Sequence, residues 1–547
     1  MPVMPETKDG LDLTGMRRLA RTLAATVGIG LCLTTGTACA AERSAPPAEL
    51  RIDSGPLRGT DQDNMRAYLG IPYAAPPVGN LRWKPPQRPR PWTTTLDATK
   101  YGNYCPQNAD LGVFGRPGGA EDCLNLNVFV SKKASQSKKK LPVLVWIHGG
   151  SMWVGANRDY DARKLAMDGE TVVVTINYRL GLLGYFAHPS LDGEGHPFAN
   201  YGLMDQQLAL DWVQRNISAF GGDPGDVTVA GESSGGANVL AHVVSPQSAG
   251  KFQHAIAMSG AVIATKFPAF AAPRPLDFAE RKGTDFAKAA GCENGGAECL
   301  RNLPLDKVLA LQTPYLHKQV IIDGNIIPMQ PSESLKSGKF NRVTLIDGNT
   351  RDEGSFFAAF PENVSGAPLT AEDYPRRLET LIGSPALTQQ ALKEYPLDEY
   401  SNPSEAFSAA LTDMAFACPG RAINRWVFDK TPTYAYEFAD RTAPSYLEPT
   451  TFAMGAAHTF ELAYLFPGFH GGAGEPVELN RLQAKLSAKM VNYWSTAGLA
   501  AEREAEWPRY TPEQDDYMSL TLPEPRMTSK SFDDVHDCGF WDKTGIY

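Results

Sequence analysis

The run Gly231-Glu232-Ser233-Ser234-Gly235 constrains this chain more than any other five residues. It fits G-x-S-x-G, a pattern that is common when taken bare. Its flanks make it specific. Val227-Thr228-Val229-Ala230 ahead of it reads as a short buried strand, and Gly236-Ala237-Asn238-Val239-Leu240 behind it reads as a helix. A strand that turns straight into a helix at a serine strains that serine's backbone and lifts its Oγ clear of the sheet. Gly231 and Gly235 lack the Cβ atoms that would block so tight a turn. The helix N-terminus beneath favours negative charge as it develops. Ser233 is therefore read as a nucleophile; the competing reading is a glycine-rich turn in which the serine only caps a helix.

Strands and helices alternate around this turn. Leu141 to Ile147 and Thr171 to Ile176 are continuous apolar runs, the mark of strands buried on both faces of a parallel sheet. Leu124 to Val130 alternates apolar and polar, and residues 50–60 and 66–73 read as further short strands. His254 to Ser259 and Val343 to Asp347 add two more. Gly202 to Asn216 carries Leu203, Leu208, Leu210, Trp212 and Val213 at helical spacing. Residues 80–92, rich in Pro and Arg, read as an extended crossing, and the lysine-rich Ser131 to Lys140 as a solvated turn. The pattern predicts an α/β chain with a mostly parallel central sheet.

A second glycine-rich turn, His148-Gly149-Gly150-Ser151, follows the strand Leu141 to Ile147. Amides of Gly150, Ser151 and Ser234 can converge on a carbonyl oxygen that becomes an oxyanion. Losing one such donor typically costs about 3–4 kcal/mol of transition-state stabilisation. The alternative is a turn that needs glycine only for its backbone angles.

The N-terminus reads as a targeting segment over residues 1–40, leaving 41–547 as the mature chain. Met16-Arg17-Arg18-Leu19-Ala20-Arg21 is basic, Thr22 to Thr35 is mostly apolar and uncharged, and Ala38-Cys39-Ala40 is a small-x-small cleavage pattern. Export to the periplasm or medium is expected. Cys39 leaves a lipid anchor open as an alternative, although Gly36-Thr37-Ala38 lacks the usual large aliphatic residue before it. No later stretch has the length and apolarity of a membrane span. Eight cysteines are present, of which Cys32 and Cys39 lie in the leader. Six remain: Cys105, Cys123, Cys292, Cys299, Cys418 and Cys538. An even number in an exported chain favours disulfides, and the lack of any CxxC pair argues against zinc. Spacing does not choose among the possible pairings, though Cys292 and Cys299 are near enough to close a small loop.

Composition excludes several classes. Of 547 residues, 43% are hydrophobic and 21% charged, which is globular rather than disordered. The net charge of −9 is wrong for a nucleic-acid partner. No internal repeat supports a solenoid or propeller.

Several further motifs resemble the type-B carboxylesterases, the cholinesterase and fungal-lipase family. They are Glu121-Asp122-Cys123-Leu124-Asn125-Leu126-Asn127, Leu69-Gly70-Ile71-Pro72-Tyr73-Ala74, Asn177-Tyr178-Arg179-Leu180-Gly181, Asn200-Tyr201-Gly202-Leu203-Met204-Asp205-Gln206 and Phe220-Gly221-Gly222-Asp223-Pro224. The similarity runs from about residue 48 to the end. It implies an α/β-hydrolase fold: a mostly parallel sheet, helices on both faces and large loop insertions. It also implies a Ser-Glu-His triad in that chain order. Arg351-Asp352-Glu353-Gly354-Ser355-Phe356-Phe357 resembles the family's acid motif and nominates Glu353. Ala456-Ala457-His458-Thr459-Phe460-Glu461-Leu462 resembles its histidine loop and nominates His458, a choice that spacing among nine histidines could not make. His148 would be the competitor, with packing and hydrogen bonding as its plainer role. Ser259 matches a serine close behind the triad in relatives, or is a satisfied core hydroxyl. The resemblance pairs Cys105 with Cys123, Cys292 with Cys299 and Cys418 with Cys538, and matches Arg82 and Glu121 to a salt bridge that ties down the first disulfide loop.

Those roles imply hydrolysis of a small-molecule ester through an acyl-enzyme, with no cofactor and no metal. Departures from the family narrow the substrate. Cholinesterases carry a tryptophan in the first disulfide loop for cation–π contact with quaternary ammonium. Here Pro106 to Asp122 holds Phe114 and no Trp. The loop is also short, glycine-rich and weakly apolar, unlike a large lipase lid. Where relatives line the acyl pocket with aromatics, this chain reads Tyr315-Leu316-His317-Lys318. His317 and Lys318 hint at an acyl group bearing carboxylates, as in the tricarballylate esters cleaved by bacterial fumonisin esterases. The plainer reading is a solvated loop, with a general para-nitrobenzyl-esterase-like or lipase activity. A catalytically silent adhesion protein of the same family is the other class; such chains lose the serine or the histidine, and both are present here. Oligomeric state is not read from the sequence.

Overall fold

The computed structural model describes residues 48–547 apart from 63, 136–138, 267–271, 496–505 and 529–531. The leader reading, residues 1–40 with Cys39, lies outside the described residues.

A 13-stranded sheet organises the chain. Its strands in chain order, omitting the two-residue strand Leu96–Asp97, are β1 Ala48–Ile52, β2 Gly55–Gln62, β3 Met65–Pro72, β4 Asn125–Ser131, β5 Leu141–Ile147, β6 Val172–Ile176, β7 Gly222–Glu232, β8 His254–Met258, β9 Thr344–Thr350, β10 Thr433–Phe438, β11 Met518–Leu520 and β12 Arg526–Met527. They lie side by side as β1-β2-β3-β4-β6-β5-β7-β8-β9-β10-β11-β12, and Leu96–Asp97 pairs with β2. From β6 through β11 every pairing is parallel. The N-terminal strands join by antiparallel pairings, ending with β4 on β6.

The apolar run of β5 has a simple physical reason. Successive side chains of a strand point to opposite faces. Val143, Val145 and Ile147 enter one core with Leu210, Trp212 and Val239. Leu144 and Trp146 enter the other with Leu165, Met490 and Trp494. Both faces are dry, so neither parity can be polar. Helix α1 (Tyr201–Asn216) and helix α2 (Ser234–Val244) cover the first face, and Arg481–Trp494 contributes to the second. A third cluster joins helix α3 (Glu353–Ser365) to helix α4 (Pro403–Thr412), and includes Cys418, Cys538 and Trp541.

This is the α/β-hydrolase architecture expected from the sequence. Two things differ from the sequence reading. Strand β7 extends from Gly222, well ahead of Val227, and β10 and β11 were not anticipated. Strand β10, Thr433-Tyr434-Ala435-Tyr436-Glu437-Phe438, hides because it carries a glutamate. Glu437 is nonetheless buried, since its carboxylate meets His536 Nε2 at 2.8 Å. The lysine-rich segment also holds a short helix, Lys132–Ser135.

The three cysteine pairs stand at Cα–Cα distances of 5.0 Å (Cys105–Cys123), 5.6 Å (Cys292–Cys299) and 5.1 Å (Cys418–Cys538), all as bonded disulfides. Arg82 grips Glu121 with two hydrogen bonds, Nε to Oε1 at 2.7 Å and Nη2 to Oε2 at 2.6 Å. Among the described residues, no helix is long and apolar enough to cross a membrane.

Candidate active site

Strand β7 runs straight into helix α2, and the junction is Ser233. Its backbone sits at φ 57° and ψ −123°, a region that residues with a Cβ rarely enter. The strain is held by the surroundings. The Ser233 amide donates to the Met258 carbonyl at 2.9 Å. A Cβ on Gly235 would fall 2.1 Å from the Ile147 carbonyl oxygen, and one on Gly231 would fall 2.6 Å from the carbonyl carbon of Gly235. Only glycine lets the helix start this close to strand β5.

His458 comes from a loop far along the chain, yet its Nε2 lies 2.9 Å from Ser233 Oγ. Its Nδ1 lies 2.5 Å from Glu353 Oε2. Glu353 opens helix α3 at the end of β9 and is fully buried. Its second oxygen accepts from the Thr350 amide at 2.8 Å and from Ser259 Oγ at 2.5 Å. The buried carboxylate thus faces three hydrogen-bonding groups, as a buried polar group requires. Phe356, Phe357 and Phe416 pack around the imidazole with ring centroids 5.2–5.5 Å away. Serine, imidazole and carboxylate in this chain can relay a proton from Oγ to Nε2 while Nδ1 stays bonded to the acid.

The turn after β5 adopts left-handed backbone at Gly150 (φ 101°), Ser151 (φ 54°) and Met152 (φ 62°). Among the described residues, no protein acceptor takes a hydrogen bond from the Gly150 or Ser151 amide. Both line the pocket with Ser233. Ser234, at the first turn of α2, ties the two segments together by accepting from the Met152 amide at 3.1 Å. His148 has the structural role given to it as the competitor. Its ring stacks on Tyr178 at 4.5 Å and its Nδ1 meets the Gly149 carbonyl at 2.8 Å. Burial pushes it down to about 4, so it is neutral.

Two carboxyl groups near the triad were quoted in the sequence motifs but given no role. Glu232 Oε1 stands 3.3 Å from His458 Nε2, and both oxygens of Glu461 are buried without a hydrogen-bond partner. Burial first, then the neighbouring acids, raises both groups well above the ordinary carboxyl range, which favours the protonated acids. The available signal was an acidic residue directly before the serine and another three residues after the histidine.

A pocket of about 540 Å³ opens over Ser233. Phe114, Tyr160, Phe356, Phe357 and Phe469 make its walls largely aromatic, and Asp159 and Glu232 are its acidic members. Phe114, the aromatic residue of the first disulfide loop, is among the lining residues. His317 and Lys318 are not among the lining residues. His317 is buried against Phe278 with neither ring nitrogen partnered, and burial pushes it down to about 4, with Lys282 and Arg274 acting in the same sense. The Lys318 ammonium lies 4.7 Å from the ring centre of Trp153. Burial lowers its affinity for a proton, against the opposing pull of Asp110. Among the described residues, no group of three or more His, Cys, Asp or Glu side chains is placed to hold a metal ion.

Comparison with known proteins bears on the chemistry. The model of the "Carboxylesterase family" matches residues 46–541. The chain is 34% identical over 477 residues to a para-nitrobenzyl esterase of Bacillus subtilis (strain 168), covering 83% of this chain and 91% of that one. It is 32% identical over 486 residues to an acylcarnitine hydrolase of Mus musculus, covering 84% and 83%. A solved thermophilic PNB esterase superposes with a TM-score of 0.74 at 32% identity, covering 88% of this chain and 98% of the other.

Proposed function

The chain belongs to the carboxylesterase family and is a carboxylic ester hydrolase, and on that premise we propose that it works through an acyl-enzyme on Ser233. His458 takes the Oγ proton as Ser233 attacks the ester carbonyl. Glu353 keeps the other ring nitrogen bonded, holds the tautomer and stabilises the imidazolium. The amides of Gly150, Ser151 and Ser234 receive the oxyanion. His458 then protonates the leaving alcohol, and water repeats the sequence on the acyl-enzyme. Ser259 acts through Glu353, as a positioning residue. The observation that carries this reading is the 2.9 Å approach of His458 Nε2 to Ser233 Oγ, with Glu353 bonded behind it.

The pocket's largely aromatic walls are in keeping with a general esterase. The polycarboxylate reading has less support, because His317 and Lys318 lie outside the lining and the ionisable side chains within it are acidic, apart from His458 itself. A tricarballylate half-ester hydrolysed faster than a butyrate ester, with the preference lost in Lys318→Ala, would restore it. The family's silent adhesion proteins are disfavoured by the assembled serine, imidazole and carboxylate.

We further infer that residues 1–40 are an export leader, since three disulfides form best outside a reducing cytosol. The test of the main reading is covalent labelling. A dialkyl phosphoryl reagent should inactivate the enzyme at one equivalent, with the mass increment on the peptide holding Ser233. Labelling elsewhere, or full activity after labelling, overturns the assignment.

A further inference from the structure

Asp159 is out of place in the pocket it lines. Apart from the polar residues around Ser233, it shares that lining mainly with Leu111, Phe114, Tyr160, Phe356, Phe357 and Phe469, and its own side chain is only 8% exposed. A carboxylate in such a wall needs partners, because burial without them is costly. It has one. Arg116, from the first disulfide loop, brings Nη1 to 3.1 Å from Asp159 Oδ1 and gives Nη2 to the Gly472 carbonyl. Among the described residues no group donates a hydrogen bond to Oδ2. That oxygen faces Gly472, another residue of the pocket, where a Cβ would come within 3.3 Å of it. Glycine there keeps a side chain from crowding Oδ2.

The charged and titratable groups around Asp159 are Arg116, Arg158 and His470. Burial raises its pKa to about 6 against their pull, so it is a carboxylate at neutral pH. Glu232, the pocket's other acid, is held toward the protonated form and turned to His458. Asp159 therefore presents one anionic acceptor without a protein donor in a largely aromatic chamber. A purely alkyl group filling the chamber would strip water from Oδ2 and return nothing. A group ending in a hydroxyl or ammonium would complete its hydrogen bonding.

We infer that Asp159 determines specificity, and that the preferred substrates are esters whose pocket-filling arm carries a hydrogen-bond donor, a hydroxyl or an ammonium. This rests on the reading of Ser233 as nucleophile and of its pocket as the substrate's.

The test uses esters matched in length. One series varies the alcohol: hexyl, ω-hydroxypentyl and ω-aminopentyl butyrate. The mirrored series varies the acyl group: butyl hexanoate, ω-hydroxypentanoate and ω-aminopentanoate. At neutral pH the wild type should favour the donor-bearing esters over the alkyl ester by roughly tenfold or more in kcat/KM, mainly through KM, in the series whose arm enters the pocket. In Asp159→Asn and Asp159→Ser the ratio for the ammonium ester should collapse toward one, whatever happens to absolute rates. Should neither variant fold, competitive inhibition of the wild type by hexylamine against hexanol reads the same preference. Ratios near or below one in both series, or a ratio that survives in the variants, overturn the inference. If those ratios fail while the alkyl esters are still hydrolysed and Ser233→Ala abolishes this, the nucleophile reading stands and only the Asp159 inference falls.

Discussion

Glu232 Oε1 stands 3.3 Å from Nε2 of His458, the same ring nitrogen that faces Ser233. A charged carboxylate there would hold the imidazolium and compete with Ser233 for its proton. Burial raises Glu232 well above the usual carboxyl range, which favours the neutral acid there. Glu232→Gln replaces one neutral group by another of the same shape. It should change kcat less than about tenfold and leave the acid limb of the pH–rate profile in place. A limb displaced by a full pH unit would show that Glu232 carries charge.

Removing the nucleophile has a larger effect. Ser233→Ala should lower kcat by about 10⁴–10⁶ with the fold intact, and His458→Ala nearly as much. The double variant should be little worse than either single one, because the pair acts as a unit. Steady-state kinetics on a para-nitrophenyl ester, with circular dichroism as the folding control, decides this. Wild-type activity in Ser233→Ala would move the nucleophile elsewhere.

Ser259 donates to Glu353 at 2.5 Å and is not among the residues that line the pocket. Ser259→Ala should lower kcat by about tenfold while KM holds, since a hydrogen bond to a buried charge is lost but the Thr350 amide remains. Ser259→Thr, which restores the hydroxyl, should recover part of it. Equal rates in wild type and Ser259→Ala would reduce this residue to packing.

His536 gives a stability prediction with a definite sign. Burial alone would push its pKa down, but Asp413 and Glu437, at 2.5 and 2.8 Å, outweigh it and raise it to about 10. A folded pKa above the ordinary 6.5 means the contribution is complete below that pH and is lost as pH rises through about 10. Thermal unfolding should therefore show Tm falling toward alkaline pH. His536→Gln should cost about 3–5 kcal/mol near neutrality and flatten the alkaline slope. A slope that persists in the variant would assign it to other groups.

Export and oxidation can be read from one mass spectrum. The secreted chain should begin near Ala41, and reduction should add about six hydrogens, one per cysteine of the three pairs. Chains found only in the cytoplasm with their first 40 residues retained, or six alkylatable thiols before reduction, would contradict it.

Local sequence determined the elements that depend on neighbours in the chain. The β5 run, the glycines at 231 and 235 and the helical spacing of α1 each report a local steric or packing demand. The strand–turn–helix at Ser233 was legible for that reason, and the motifs carried by resemblance pointed to Glu353 and His458, which the fold brings to Ser233. Tertiary structure alone decided what depends on distant segments meeting. Strand β10 is buried despite Glu437 because His536 arrives from the C-terminal tail to neutralise it. Glu232 and Glu461 shift toward the protonated acid only because the fold buries them close to each other and to Glu353. Asp159 enters a pocket wall that includes Phe114 of the first disulfide loop and Gly472, and Lys318 settles on Trp153 outside that lining. A side chain's charge and partners are set by the dielectric and the groups around it, and no stretch of sequence contains those surroundings.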